Sequence, residues 1–313
     1  MMNVIFMGTP DFAVPCLEKI VAENYNVIAV VTQPDRPKGR RRELTPPPVK
    51  EAALQHGLRV FQPEQLQDEA AVDHICSLQP DLIITAAYGQ ILPKRLIDLP
   101  TYGCINVHAS LLPRYRGGAP IHQAIIDGND ETGVTIMYMV EKLDAGDILT
   151  QVKVSIEADD TVGLLHDKLA RAGSQLLLET IPLLIEGMIE PRPQEESEVT
   201  YAWNIQREDE KIDWTRSAQE IYDQIRGLNP WPVAYAKLEG KVLKIWRAKV
   251  VDPQRQGDEP GTIVNVADEG IDVACGAGLL RLLEVHPSGR KKMSVSDFVR
   301  GVGQSLEPGM KLD

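Results

Sequence analysis

Asn106, His108 and Ser110 set an amide, an imidazole and a hydroxyl at every second position of one short stretch, Gly103-Cys104-Ile105-Asn106-Val107-His108-Ala109-Ser110. In an extended chain alternate side chains share a face, so all three are predicted to project to one side where a strand ends. An amide can donate to an oxygen that becomes negative during a reaction, and an imidazole can move a proton near neutral pH. Further on, Asp144 stands in the turn Asp144-Ala145-Gly146. Placed beside His108, a carboxylate would orient the ring. Each residue also has an ordinary structural reading. A histidine at a strand end is commonly held by its own hydrogen bonds, and an aspartate before a glycine commonly bonds the backbone of its turn.

The elements that must position these residues read as an α/β domain. Strands are predicted at 4–7, 27–32, 59–61, 81–87, 103–108 and 133–139, and helices at 12–23, 49–56, 68–78, 121–127 and 161–187. The strand-turn-helix-strand opening argues for a parallel-rich, Rossmann-like sheet covered by helices. Ligands of such sheets bind at the carboxyl ends of strands, where 106–110 falls. The first turn, Gly8-Thr9-Pro10-Asp11, is not GxGxxG, so a dinucleotide is not indicated. The strand 81–87 runs into Tyr88-Gly89-Gln90-Ile91-Leu92, where small residues leave room and Ile91 and Leu92 could wall a flat ring. This first domain is placed at 1–187. Residues 188–205, with Pro191, Pro193, Glu195, Glu196 and Glu198, read as a linker. Residues 206–313 alternate over short strands at 233–239, 242–248, 261–266, 271–274 and 279–285, the pattern of a small OB-like β-barrel.

Charge points to a partner. The chain of 313 residues has a net charge of −12, which opposes general coating of nucleic acid. Residues 206–313 carry 16 basic and 17 acidic side chains, so nearly all the acidity precedes them. Within the acidic part, five of the seven residues from 36 to 42 are basic: Arg36, Lys38, Arg40, Arg41 and Arg42. Prolines and Gly39 predict a protruding loop there, outside helix and sheet. Guanidinium groups grip phosphates bidentately, which makes the loop a candidate arm for a phosphate backbone, against the plainer reading of a solvated surface. Lys244, Arg247 and Lys291 are candidate contacts in the second domain. No basic leader precedes the first strand and no apolar run reaches membrane-spanning length. Cys16, Cys76, Cys104 and Cys275 lie far apart without a CxxC, so free thiols, no metal site and a cytoplasmic location are expected.

Asn106-x-His108-x-Ser110-Leu111-Leu112-Pro113, with Arg116-Gly117, Pro120 and Asp144-x-Gly146, resembles the signature of folate-dependent formyltransferases. Gly8-Thr9-Pro10-Asp11-Phe12, Thr32-Gln33-Pro34-Asp35-Arg36-Pro37, Ala87-Tyr88-Gly89, Lys211-Ile212-Asp213-Trp214 and Asn229-Pro230-Trp231-Pro232 extend the resemblance over nearly the whole chain. They bring it nearest to the members that formylate methionine carried on initiator tRNA. The resemblance implies transfer of a formyl group from 10-formyltetrahydrofolate to the α-amine of methionyl-initiator tRNA, without a metal; a monomer is expected, although the residues do not set the oligomeric state. It implies Asn106, His108 and Asp144 as catalytic residues. It implies a folate pocket at Ala86, Ala87, Tyr88, Gly89, Gln90, Ile91 and Leu92 and at Ser110, Leu111, Leu112 and Pro113. It implies tRNA contacts from the basic loop, Arg40 first among them, and from the second domain. The residues alone still admit formyl transfer to a small amine, a formyl-folate hydrolase, or a non-catalytic RNA-binding module.

Overall fold

Runs of buried apolar residues build the first sheet. β1 (Asn3–Gly8), β2 (Asn26–Val31), β3 (Val60–Phe61), β4 (Leu82–Ala86) and β5 (Cys104–His108) lie in the order β3-β2-β1-β4-β5 and pair in parallel. β6 (Glu131–Tyr138) and β7 (Ile148–Ser155) extend the sheet antiparallel beyond β5. Val4, Ile5, Phe6 and Met7 of β1 and Leu82, Ile83 and Ile84 of β4 are wholly buried, as strands covered on both faces require. Helices Val14–Ala22, Pro48–Gln55 and Glu69–Ser77 make the crossovers. Helix Val162–Ile185 packs on β5 and β6 at Gly173, where a Cβ would lie 3.1 Å from Val107 and 3.2 Å from Val134.

The computed structural model describes residues 2–39 and 42–313. It resolves into one unit of Met1–Pro120, Glu131–Ser155 and His166–Ala202 and another of Ile121–Asp130, Ile156–Leu165 and Trp203–Asp313. Residues 121–130 and 156–165, placed in the first domain by the sequence, therefore group with the second unit.

The chain leaves β1 toward β2 and returns as β4 on the other side of β1. The crevice between the carboxyl ends of β1 and β4 is thus the switch point of the sheet. Gly8 closes β1 there. A Cβ on it would sit 2.7 Å from the Ala13 Cβ and 3.0 Å from the Ala86 carbonyl oxygen, so only glycine fits. The Thr9 hydroxyl donates to the Tyr88 carbonyl at 2.8 Å and ties the two strand-end loops together.

Two expectations change within this unit. The expected irregular loop contains two short strands: Arg36–Lys38 and Glu43–Thr45 pair antiparallel as a short hairpin. Pro37 sits in a two-stranded ribbon whose outer edges pair with no other strand among the described residues, the setting in which a strand tolerates proline. Residues 188–202 are also no free linker. Arg192 and Ile148 exchange backbone hydrogen bonds at 2.9 and 2.8 Å, and Arg116 donates its amide to Thr200 at 2.9 Å. The prolines and glutamates read as a solvated tether because composition cannot report where backbone hydrogen bonds go.

In the second unit β8 (Tyr235–Leu238), β9 (Lys241–Asp252), β10 (Ile263–Ala267), β11 (Gly270–Ala274) and β12 (Leu279–Pro287) form an antiparallel sheet in the order β8-β9-β12-β11-β10. Helix Ala218–Gly227, started by a reciprocal Ser217/Glu220 cap, presses Ile221 and Ile225 into a core shared with Trp214, Ile245, Leu280 and Phe298. The expected OB-like barrel does not close, since β8 and β10 do not pair with each other and end the sheet among the described residues. The C-terminal tail takes the groups through which they would pair. Lys237 on β8 exchanges backbone bonds with Asp313, and Ile263 on β10 donates to Met310 at 2.8 Å.

Cys16, Cys104 and Cys275 are buried free thiols, and burial pushes Cys16 and Cys275 up to about 12 and Cys104 higher still. Cys76 is only half-buried. An aromatic disulfide reagent at pH 8 is expected to titrate one thiol quickly in the native protein and four after denaturation. Fast reaction of all four without denaturant would show that these sites open.

Candidate active site

β5 carries the amide and the imidazole to the carboxyl edge of the sheet. Its register sets Asn106 opposite Thr85 of β4 and Met137 of β6, and His108 opposite Thr135. The Thr85 hydroxyl lies 2.8 Å from Asn106 Oδ1 and 3.1 Å from the Ile105 carbonyl. Engaging Oδ1 turns the amide so that Nδ2, with its two hydrogens, has no partner among the described residues. Asn106 is half-exposed.

His108 is 6% exposed, and its Nε2 lies 3.0 Å from the Tyr115 carbonyl. A carbonyl only accepts, so Nε2 carries the hydrogen and Nδ1 is the basic atom of the neutral ring. Nδ1 faces Asp144 Oδ2 at 3.7 Å, beyond a direct hydrogen bond but in ion-pair range once the ring is charged. Asp144 is held in turn by the Gly117 amide, which donates to Oδ2 at 2.8 Å. Ala87, Tyr115 and Asp144 all have left-handed backbones, with φ of 46, 59 and 46°. Strain in non-glycine residues is sustained only where surrounding contacts enforce it, and here three such residues border one site.

The folate-pocket candidates divide by exposure. Ala87 and Gly89 are both exposed, and Ile91 is 73% exposed, a bare apolar side chain near the switch point. Ala86, Tyr88 and Leu92 are buried. Tyr88 turns its phenol into the core, where burial raises it to about 12 and its hydroxyl has no partner among the described residues. It serves the crevice through its carbonyl, which accepts from Thr9 and from Gln33 Nε2 at 3.3 Å. The Gln90 side chain accepts from the Leu66 amide at 2.6 Å. Ser110 does not line the edge with Asn106 and His108. The strand ends at His108, and the buried Ser110 hydroxyl donates to the Arg114 carbonyl at 2.7 Å inside the loop. Leu112 is buried with its amide on the Thr135 hydroxyl at 3.1 Å, while Leu111 and Pro113 are half-buried.

Residues 2–181 match the formyl transferase family model, and 204–303 match the model of the formyl transferase C-terminal domain. Methionyl-tRNA formyltransferase of Bacillus licheniformis is 58% identical over 313 residues, covering 100% of this chain and 98% of that protein. The Bacillus subtilis enzyme of the same name is 58% identical over 302 residues, covering 96% and 95%. The chain belongs to the methionyl-tRNA formyltransferase family. HypX from Aquifex aeolicus, solved in complex with tetrahydrofolic acid, shares the fold at a TM-score of 0.64 and 16% identity, over 97% of this chain and 48% of that longer one.

As a formyltransferase the chain keeps its basic candidates apart from Asn106, His108 and Asp144 in sequence. Arg36, Lys38 and Arg42 are exposed on the hairpin, and Arg36 pairs with Glu64 at 3.1 Å. Arg40 and Arg41 lie outside the described residues. Lys244 Nζ donates to the Pro232 carbonyl at 2.9 Å, while Arg247 and Lys291 are exposed. Among the described residues no group of three or more His, Cys, Asp or Glu side chains could hold a metal, and no helix is long and apolar enough to cross a membrane.

Sequence reasoning missed Thr85, the Tyr115 carbonyl and the Gly117 amide. Thr85 is the one polar side chain of the strand Leu82–Ala86, a detectable signal; backbone donors and acceptors leave none. Thr85→Val, which removes the hydroxyl at nearly constant shape, is expected to free the Asn106 amide. Formyl transfer should fall about 10-fold, and unfolding should cost about 1 kcal/mol less. An unchanged rate in steady-state assays would mean that the amide is oriented by other contacts.

Proposed function

We propose that this protein transfers a formyl group from 10-formyltetrahydrofolate to the α-amine of methionyl-initiator tRNA, with Asn106, His108 and Asp144 as its catalytic residues. The reading is supported by an unengaged Asn106 Nδ2 on the same strand as His108, whose basic Nδ1 faces Asp144 at 3.7 Å. The methionine amine attacks the formyl carbon, the bond from that carbon to the folate nitrogen breaks, and a proton passes from the amine to that nitrogen. Asn106 Nδ2 donates to the formyl oxygen as it gains charge, a contribution of about 10²–10³ in rate for one such donor. His108 Nδ1 accepts the amine proton. The imidazolium then has an acceptor on each side, the Tyr115 carbonyl and the Asp144 carboxylate. Returning the proton to the leaving nitrogen restores the ring.

Exposed Ala87, Gly89 and Ile91, with Leu111 and Pro113, suit a flat pteridine ring, since they offer an apolar lip with little bulk. Residues 206–313 are the tRNA-binding domain in this reading. Arg36, Lys38 and Arg42 of the hairpin, together with Arg40 and Arg41, are the contacts for the acceptor end in this reading, and Lys244, Arg247 and Lys291 contact phosphates. In this reading the enzyme works as a monomer in the cytoplasm, where charged tRNA and reduced folate meet.

Formyl transfer to methionine-charged initiator tRNA is the direct test, with free methionine and uncharged tRNA as controls. Transfer to the charged tRNA alone supports the reading. Folate turnover without tRNA formylation would move it to a small amine or to hydrolysis. Asn106→Ala, His108→Ala and Asp144→Ala are each expected to lower turnover by at least about 10²-fold while tRNA binding persists in filter assays. A variant with full activity leaves the catalytic set. Alanine at Arg36, Lys38 and Arg42 should weaken tRNA use and flatten the salt dependence of KM by about one unit of slope for each phosphate no longer neutralised. An unaltered slope would return the hairpin to ordinary solvated surface.

A further inference from the structure

Asp144 sits in a turn with few backbone bonds of its own, Ala145 to the Lys142 carbonyl at 3.3 Å and Tyr138 to the Asp147 carbonyl at 3.0 Å. Glu141, Lys142 and Leu143 before it are exposed, and its own φ of 46° is one that an aspartate adopts at a cost. Two residues on, Gly146 is pressed so close to Tyr138 that a Cβ would lie 1.9 Å from its carbonyl oxygen. The turn is fixed instead from outside, by the segment that composition marks as a linker. Gln194 Nε2 donates one hydrogen to the Asp144 carbonyl at 2.7 Å and the other to the Gly146 carbonyl at 2.8 Å.

Gln194 is itself aimed by Arg116. The Arg116 side chain is wholly buried, and its Nε and Nη2 donate to Gln194 Oε1 at 3.0 and 2.8 Å. These bonds fix which end of the Gln194 amide faces Asp144, because a guanidinium can only donate. Arg116 Nη2 also reaches Glu196 Oε1 at 3.2 Å. Lys142, two residues before Asp144, bonds both oxygens of that carboxylate at 2.9 Å. Lys142 first and Arg116 second hold Glu196 below the usual carboxylate range.

The same segment secures the other side of His108. Thr200 takes the Tyr115 amide on its hydroxyl at 2.9 Å and the Arg116 amide on its carbonyl at 2.9 Å, and Ala202 donates to the Arg116 carbonyl at 2.8 Å. Gly117 passes under this strap: a Cβ on it would meet the Ala202 carbonyl oxygen at 2.6 Å. Tyr115 supplies the acceptor for His108 Nε2, and Gly117 supplies the donor to Asp144 Oδ2. Both groups that flank the imidazole are therefore set by residues 192–202.

We infer that Gln194, aimed by buried Arg116, is a positioning residue for formyl transfer: it holds Asp144 within ion-pair range of His108 Nδ1, where the carboxylate stabilises the ring once it takes the amine proton. The inference rests on the catalytic role proposed for Asp144. A misplacement of about 1 Å at a reacting group costs about 10² in rate. Gln194→Met keeps the volume and the stem but removes both donors. It is expected to lower kcat about 10²-fold while KM for 10-formyltetrahydrofolate and for charged tRNA stays within about threefold.

A double-mutant cycle separates positioning from general support. In an Asp144→Asn background, with rates read in single turnovers at excess enzyme, Gln194→Met should cost less than about twofold further, because the group it aims is already disabled. Gln194→Leu is carried in parallel, and thermal melts of all variants confirm that each is folded at the assay temperature. A wild-type kcat in both Gln194 variants, or losses that multiply fully with Asp144→Asn, would overturn the inference. Wild-type protein that fails to formylate charged tRNA would instead overturn the function proposed above, and the same cycle would then be read on folate turnover.

Discussion

The His108 ring lies between two acceptors, and much of the first unit exists to keep it there. One acceptor is the Tyr115 carbonyl, which fixes the tautomer and so makes Nδ1 the atom that can take a proton. The other is Asp144, at 3.7 Å from that atom. At 3.7 Å the carboxylate is beyond a direct hydrogen bond yet close enough to answer a charge on the ring. Neither acceptor comes from the strand that carries His108. Each is delivered by a loop with a left-handed residue at its apex, and each loop is pinned by 192–202.

The rest of the fold follows from this requirement. A fully buried β1 and β4 give a rigid edge whose switch point opens beside β5. Gly8 and the Thr9–Tyr88 bond shape the floor of that opening with backbone rather than side chains, which leaves space for a ligand. The turn between antiparallel β6 and β7 starts where Tyr138 lies opposite Ile105, near the beginning of β5, and Asp144 reaches back from it to within 3.7 Å of His108. Charge is handled separately. The acidic first part of the chain carries a basic hairpin whose base is braced by Lys50 and Gln62 on Asp35, with the Gln62 bond first in holding that carboxyl below its usual range.

What could be read from the residues and what could not divides along the range of the interaction. Apolar runs and alternation report burial, which is local, so β1, β4, β5 and the five strands after residue 230 were legible. So was the pairing of Asn106 with His108 on one face, since period two is a property of the strand itself. Ser110 fell outside that face because the strand stops at His108, and where a strand stops depends on its neighbours. Tyr88 turned its phenol inward for the same kind of reason, while its carbonyl stayed at the edge.

By itself the sequence determined the chemistry on offer: an amide, an imidazole and a carboxylate within a family motif, a basic cluster in an acidic chain, and a second domain of short strands. Tertiary structure alone decided which atoms are used. It paired residues 36–38 with 43–45 as a hairpin, left the second sheet open with the tail across its edges, and drew 192–202 onto the active-site loops. Each of those outcomes is set by backbone hydrogen bonds between segments that the chain's own order does not pair, and every non-proline residue carries the same donor and acceptor whatever its side chain. Composition cannot distinguish a strap from a linker when the difference lies in which carbonyls their amides meet.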